Sequence, residues 1–281
     1  MKIAFWGTPE LTTTILDELL VQGLTPSIII TGQDVPIGRK MTITPPAAKV
    51  WGETHDIPVL QPAKLDEEFF LEIRNLNLDL SVVVAYGKII PERFITLPRL
   101  GTINIHYSLL PKYRGATPVE SAILNGDTET GVTIQHMRYA LDSGPIIQME
   151  KLEIEPTETS RALRARLNEI GKKLLVSSIR QLESGTATFT EQDESQATFC
   201  KKIKKEDGLI DPSGDAVANY NKFRAYFGWP GIYFMTNPPA GGEQRIKITD
   251  AILEDGKFII KKVIPEGKKE TDYKNFLENT H

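Results

Sequence analysis

A chain of 281 residues has room for one large domain and a smaller companion, and its 40% apolar and 25% charged content is ordinary for a globular protein. A formal net charge of −4 excludes a generally basic nucleic-acid binder, so any contact with nucleic acid must come from local patches. The single cysteine, Cys200, excludes a disulfide framework and a multi-cysteine metal site, and a reducing cytoplasm is the expected setting.

The chain opens on a short apolar run at residues 2–6, closed by Gly7, which is too short for a signal peptide's apolar region or for a membrane span. Residues 2–6, 27–31, 80–85 and 102–106 read as buried strands, and 131–137 as a later one. Thr8 is expected to cap the first helix with Pro9 at its first position. Leu11, Ile15, Leu16, Leu19 and Leu20 give that helix one apolar face. Strand–helix alternation of this kind predicts an α/β fold with an open, mostly parallel twisted sheet covered by helices on both faces. A long amphipathic helix is expected over about 161–184, with Leu163, Leu167, Ile170, Leu174 and Ile179 toward a core and Gly185 as its stop.

The composition then changes. Residues 187–198 are polar, and Lys201, Lys202, Lys204 and Lys205 form a basic cluster running into Glu206-Asp207-Gly208. Beyond it Arg245-Ile246-Lys247-Ile248-Thr249 alternates strictly, and Phe258-Ile259-Ile260 follows the turn Glu254-Asp255-Gly256. The expected organisation is a larger α/β domain at 1–186, a linker at 187–206 and a small β-rich domain at 207–281, with the charged stretch from Lys268 a tail or terminal helix. There are no internal repeats.

One constellation carries chemistry. Asn104 and His106 lie two apart on a strand and therefore on one face. The turn Ser108-Leu109-Leu110-Pro111 ends that strand, and Leu141-Asp142-Ser143-Gly144 brings an acid on a glycine-containing loop. An amide and an imidazole can hold a developing oxyanion, and a carboxylate can orient the imidazole and relay a proton. The pair alone would also suit a buried histidine satisfied by backbone partners; the acid loop and the turn shift the balance toward catalysis. Gly7-Thr8-Pro9 lacks the glycine repeat of a dinucleotide site. His55 and His136 lack metal-ligand spacing, and Ser108 is poorly placed as a nucleophile for His106.

Several stretches together resemble the 10-formyltetrahydrofolate-dependent formyltransferases. They are Phe5-Trp6-Gly7-Thr8-Pro9, Gly38-Arg39-Lys40-Met41, Val82-Val83-Val84-Ala85-Tyr86-Gly87-Lys88-Ile89-Ile90-Pro91, Asn104 through Arg114-Gly115-Ala116, Gly126-Asp127-Thr128-Glu129-Thr130-Gly131-Val132-Thr133, and Leu141-Asp142-Ser143-Gly144. The run from Lys201 to Asp211 and the stretch Asn221 to Trp229-Pro230-Gly231 are similar to that family's linker, barrel helix and turn.

The resemblance implies a Rossmann-like formyltransferase sheet followed by a small C-terminal β-barrel (OB-like) that binds tRNA. It implies a formyl-group transferase in which Asn104, His106 and Asp142 are catalytic and 10-formyltetrahydrofolate is a co-substrate, with no metal. The folate is expected against Ala85, Tyr86 and Gly87 and against Ser108, Leu109, Leu110 and Pro111. The resemblance is nearest to members whose acceptor is initiator methionyl-tRNA, so Arg39, Lys40, Lys201, Lys202, Lys204 and Lys205 are expected to contact that tRNA. A role in translation initiation, no membrane partner and a monomer are expected with it.

The sequence departs from the family's pattern in a loop near Arg39 with few lysines, in Pro212 where a tryptophan is usual, and in a shortened C-terminal domain. Two other acceptors remain open at this level: an amino-sugar nucleotide, as in sugar-nucleotide N-formyltransferases, or water, as in formyltetrahydrofolate hydrolases. Met1 opening directly into the first strand speaks against the hydrolase, which carries an N-terminal regulatory domain, and the lysine-rich linker speaks against the sugar enzyme. A folate- or RNA-binding module without catalysis is the third reading, opposed by the intact Asn104, His106 and Asp142.

Overall fold

Residues 3–7 read Ile-Ala-Phe-Trp-Gly, and a strand that is apolar at nearly every position needs cover on both faces of its sheet. The computed structural model, which describes residues 1–38, 41–236 and 242–278, supplies that cover. Strand β1 (Ile3–Gly7) leads to helix α1 (Leu11–Val21), β2 (Ile28–Ile30), β3 (Val35–Ile37), β4 (Thr42–Thr44), α2 (Ala47–Thr54), β5 (Val59–Leu60) and α3 (Glu67–Arg74). Then come β6 (Leu80–Val84), α4 (Glu92–Ile95), β7 (Thr102–His106), β8 (Arg114–Gly115), α5 (Pro118–Leu124), β9 (Glu129–His136), β10 (Ile146–Glu153) and the long α6 (Ser160–Ser184). The remainder is β11 (Phe199–Cys200), α7 (Ala216–Ala225), β12 (Ile232–Thr236), β13 (Gln244–Glu254), β14 (Lys257–Pro265), β15 (Thr271–Asp272) and α8 (Tyr273–Glu278).

The central sheet runs β10-β9-β7-β6-β1-β2-β5. Strands β5, β2, β1, β6 and β7 are parallel, and β9 joins β7 antiparallel. The chain leaves β1 toward β2 and β5, then returns to its other side at β6. That reversal is a switch point, and the crevice at the carboxyl ends of the strands is where such sheets place their sites. One face packs Ala4, Trp6, Ile28, Ile30 and Val83 against Phe69, Ile73 and Phe94. Trp6 meets Phe69, Tyr86 and Phe94 edge to face, and its buried indole N–H donates to Ser81 Oγ at 3.2 Å. Ile15, Leu16 and Leu19 of α1 are fully buried.

The first helix begins later than its sequence predicts. It starts at Leu11 with Glu10 at the cap, and Thr8 is not its cap. The Thr8 hydroxyl donates instead to the Tyr86 carbonyl at 3.1 Å, a partner 78 residues away that no local pattern announces.

The chain divides into two compact units, one made of Met1–Arg114, Gly131–Leu152 and Ala165–Phe199, the other of Gly115–Thr130, Glu153–Arg164 and the chain from Cys200 onward. Part of the segment expected as a linker belongs to the first unit: Thr190 bridges Ile146, each backbone N–H donating to the other's carbonyl. The second unit holds an antiparallel sheet ordered β12-β13-β14-β15. Its β13–β14 turn places Asp255 and Gly256 at φ 50° and 72°, the left-handed pair that a tight hairpin with this twist requires. Within this unit α5 packs on α7, and the buried Arg224 guanidinium donates to the Glu155 and Glu158 carbonyls and to Asn221 Oδ1.

Candidate active site

Strand β7 alternates, with Ile103 and Ile105 buried on one face and Asn104 and His106 on the other. In the β7–β9 register Gln135 lies opposite Asn104 and Thr133 opposite His106, so four polar side chains share a surface at the sheet's carboxyl end.

His106 is held at both nitrogens. Nε2 is 2.9 Å from the Tyr113 carbonyl, and because a carbonyl only accepts, Nε2 carries a proton. Nδ1 stands 3.6 Å from Asp142 Oδ2, with the imidazole 6% and the carboxylate 15% exposed. That separation exceeds a hydrogen bond but suits an ion pair once Nδ1 is also protonated. The geometry can therefore accept a proton on the imidazole and stabilise it with the carboxylate.

Asp142 sits at φ 45°, in the left-handed region, where aspartate is among the few non-glycine residues found with any frequency. Its position is over-determined. Gln135, only 1% exposed, donates from Nε2 to Asp142 Oδ1 at 3.0 Å and accepts the Gly144 N–H at 3.2 Å. The Gln192 amide donates to the Asp142 and Gly144 carbonyls at 2.8 and 2.7 Å. Gly144 must be glycine, because a Cβ there would lie 1.9 Å from the His136 carbonyl oxygen. Gln192 Oε1 in turn accepts from Arg114 Nε and Nη2 at 3.1 and 2.8 Å. The buried Arg114 guanidinium also makes a two-point pair with Glu194, and its hydrogen bonds hold the Glu194 carboxyl below the usual glutamate range. Gln135, Gln192 and Arg114 escaped the sequence reading as site residues. A glutamine inside the apolar run of β9 was a usable signal for the first, whereas Gln192 lies in a polar stretch with none.

The residues expected to receive the folate lie at the same sheet end. Ala85 and Gly87 follow β6 at φ 48° and 82°, both exposed, while Tyr86 is buried between them. Burial pushes the Tyr86 phenol up to about 12, and among the described residues its Oη has no hydrogen-bond partner. After β7, Ser108 and Leu110 are buried and Leu109 and Pro111 half-buried. Ser108 Oγ donates to the Lys112 carbonyl at 2.6 Å, which leaves it serving the turn. Thr133 Oγ1 ties that turn to β9, donating to the Ser108 carbonyl at 2.7 Å and accepting the Leu110 N–H at 3.2 Å.

The expected tRNA contacts are separate from this cluster in the chain. Lys201, Lys202, Lys204 and Lys205 are all exposed and belong to the second unit. Arg39 and Lys40 lie outside the described residues. Among the described residues, no group of three or more His, Cys, Asp or Glu side chains could hold a metal ion, and no helix is long and apolar enough to cross a membrane.

Comparison with known proteins covers both units. Residues 1–179 match the family described as formyl transferase, and residues 202–262 match the formyl transferase C-terminal domain. The methionyl-tRNA formyltransferase of Thermotoga maritima is 42% identical over 232 residues, 82% of this chain and 74% of that one. The methionyl-tRNA formyltransferase of Geobacter sulfurreducens is 36% identical over 260 residues, 92% of this chain and 82% of that one. Among solved structures, the sugar 3N-formyl transferase WlaRD, crystallised with dTDP and 5-N-formyl-THF, superposes with a TM-score of 0.68 at 18% identity, covering 96% of this chain and 99% of that one. An N-formyltransferase from Helicobacter canadensis gives 0.67 at 19% identity, covering 90% and 89%. At those identities the superpositions speak to the fold alone.

Proposed function

The chain belongs to the formyl transferase family, and from that membership we propose that it transfers the formyl group of 10-formyltetrahydrofolate to the α-amino group of initiator methionyl-tRNA, the step that readies that tRNA for translation initiation. The acceptor rests on relatives with 36–44% identity over most of the chain, all of them methionyl-tRNA formyltransferases. The chemistry rests on one observation, His106 held between the Tyr113 carbonyl and Asp142 at the carboxyl end of the sheet.

In this reading the neutral α-amine attacks the formyl carbon, and the carbonyl electron pair moves onto oxygen. Asn104 donates to that oxyanion through its amide. His106 supplies a second donor from Nδ1 when that nitrogen is protonated as well, since the Nε2 proton is engaged by Tyr113. Asp142 takes the proton released by the attacking nitrogen, through water, and returns it to N10 of the folate. The C–N10 bond then breaks, leaving tetrahydrofolate and N-formylmethionyl-tRNA. Ala85, Tyr86, Gly87 and the Ser108–Pro111 turn hold the folate in this scheme. Residues 1–186 are its catalytic part, and 207–281, with Lys201, Lys202, Lys204 and Lys205 before them, its tRNA-binding part. Arg39 and Lys40 meet the acceptor end of the tRNA. A single copy of the chain and a cytoplasmic setting belong to the same reading.

The test is formyl transfer from 10-formyltetrahydrofolate to charged initiator methionyl-tRNA, with an amino-sugar nucleotide and water as parallel acceptors. Transfer to the tRNA is the expected outcome. Transfer only to the sugar or to water would keep the Asn104–His106–Asp142 chemistry and discard the acceptor.

A further inference from the structure

The two groups that flank His106 come from different parts of the chain, yet one strap holds both. On the Nδ1 side stands Asp142, whose own carbonyl, with that of Gly144, is held by the Gln192 amide. On the Nε2 side stands the Tyr113 carbonyl. Tyr113 is in the left-handed region at φ 58°, and its N–H donates to Thr198 Oγ1 at 2.8 Å. The next residue, Arg114, donates its backbone N–H to the Thr198 carbonyl at 2.8 Å and its buried guanidinium to Gln192 and Glu194. Residues 192–198 thus meet both neighbours of the imidazole, and the Gln192–Arg114 contact links the two sides.

We propose that Gln192 and Arg114 are positioning residues, and that the 192–198 strap sets the spacing of the oxyanion donor His106 and the proton carrier Asp142. Neither residue touches the reacting atoms. Their effect comes from the steepness of proton transfer and oxyanion bonding with distance: a displacement of about 1 Å in such a site costs about a hundredfold in rate. Both flanking residues sit at positive φ, so their backbone path would relax without external hydrogen bonds. The hydrogen bonds of Gln192 and Thr198, together with the charged Arg114–Glu194 pair, can impose it because Arg114 and Gln192 are almost fully withdrawn from water. This inference rests on the catalytic reading of Asp142 given above.

The test uses Gln192→Glu, which keeps side-chain shape and an acceptor for Arg114 but loses both donors to the Asp142 loop. We expect kcat to fall about 10- to 100-fold, KM for 10-formyltetrahydrofolate and for methionyl-tRNA to stay within about twofold, and the pH–rate profile to shift. A merely structural role would lower the melting temperature while leaving kcat per folded molecule and the pH profile unchanged, and that result would overturn the proposal. Should Gln192→Glu fail to fold, Thr198→Val decides. It removes an exposed hydroxyl that steadies Tyr113, and it is expected to lower kcat several-fold without moving KM; an unchanged kcat would count against the strap. Asp142→Ala is assayed beside them. If it is inactive while Gln192→Glu and Thr198→Val match the wild type, only the strap is lost; if Asp142→Ala is fully active, the reading of Asp142 itself falls and the strap with it.

Discussion

Single side chains at the end of β7 define what the site can do. In the proposed mechanism Asn104 is the oxyanion donor, and its loss should be felt at the transition state rather than in binding. Asn104→Ala is expected to reduce kcat by about 10²–10³-fold, with KM for either substrate changed far less, as steady-state kinetics with 10-formyltetrahydrofolate and methionyl-tRNA would reveal. Tyr86 makes a different point. Its phenol is buried with a raised folded value of about 12 against 10 for the free group, so its titration leaves stability untouched below pH 10 and lowers it as pH climbs toward 12. Tyr86→Phe removes a buried hydroxyl that has no partner among the described residues. It should leave stability at neutral pH unchanged or raise it by up to about 1 kcal/mol, and it should flatten the fall in melting temperature above pH 10. Thermal melts across pH 7–11 check both halves of that expectation.

At the scale of elements, the register of β9 on β7 and the loop that follows bring Asp142 back to a histidine 36 residues earlier in the chain. That return depends on close approach at Gly144, where a methyl group would collide with the His136 carbonyl. Gly144→Ala is expected to destabilise the protein by about 1–3 kcal/mol and to cost activity beyond that, since the loop must shift and carry Asp142 with it. Denaturant melts and kcat on the folded fraction separate the two effects. Helix α6 contributes at a distance: Asn168 accepts from Tyr107 Oη at 2.7 Å and donates to Thr14 Oγ1 at 2.6 Å and to the Leu11 carbonyl, tying β7 and α1 to one buried amide. Strands β1, β2, β6, β7, β9, β13 and β14, the long helix and the β13–β14 turn were legible beforehand because each is written in a local period or a short turn signal, whereas the edge strands β5 and β10 of the central sheet were not read. The start of α1 was not, because Thr8 is drawn to the Tyr86 carbonyl.

For the whole molecule, an acidic chain must find a strongly acidic substrate. A net charge of −4 gives no general attraction to RNA, and on the proposed reading the exposed lysines at 201, 202, 204 and 205 supply much of the electrostatic contact with the tRNA. Replacing all four with alanine should raise KM for methionyl-tRNA and flatten its dependence on salt, by roughly 0.7–0.9 in the log–log slope for each phosphate contact removed. KM for 10-formyltetrahydrofolate should stay near the wild-type value. A salt titration of both constants tests this. An unchanged salt slope would move the tRNA contact elsewhere on the surface.

The sequence by itself determined the layered α/β architecture, the polar face of β7 carrying Asn104 and His106, the hairpin at Asp255-Gly256, and a family resemblance spread over both units. All of these depend on residues within a few positions of one another or on motifs with fixed order, and so they survive reading in one dimension. Only the tertiary structure decided which atoms flank His106, because Asp142 and the Tyr113 carbonyl reach it through loops of their own. It also turned a polar stretch around Gln192 into a strap, through hydrogen bonds to Asp142 and Arg114 across 50 and 78 residues. Such bonds fix geometry by where the backbone turns in space, and no period or spacing along the chain encodes them.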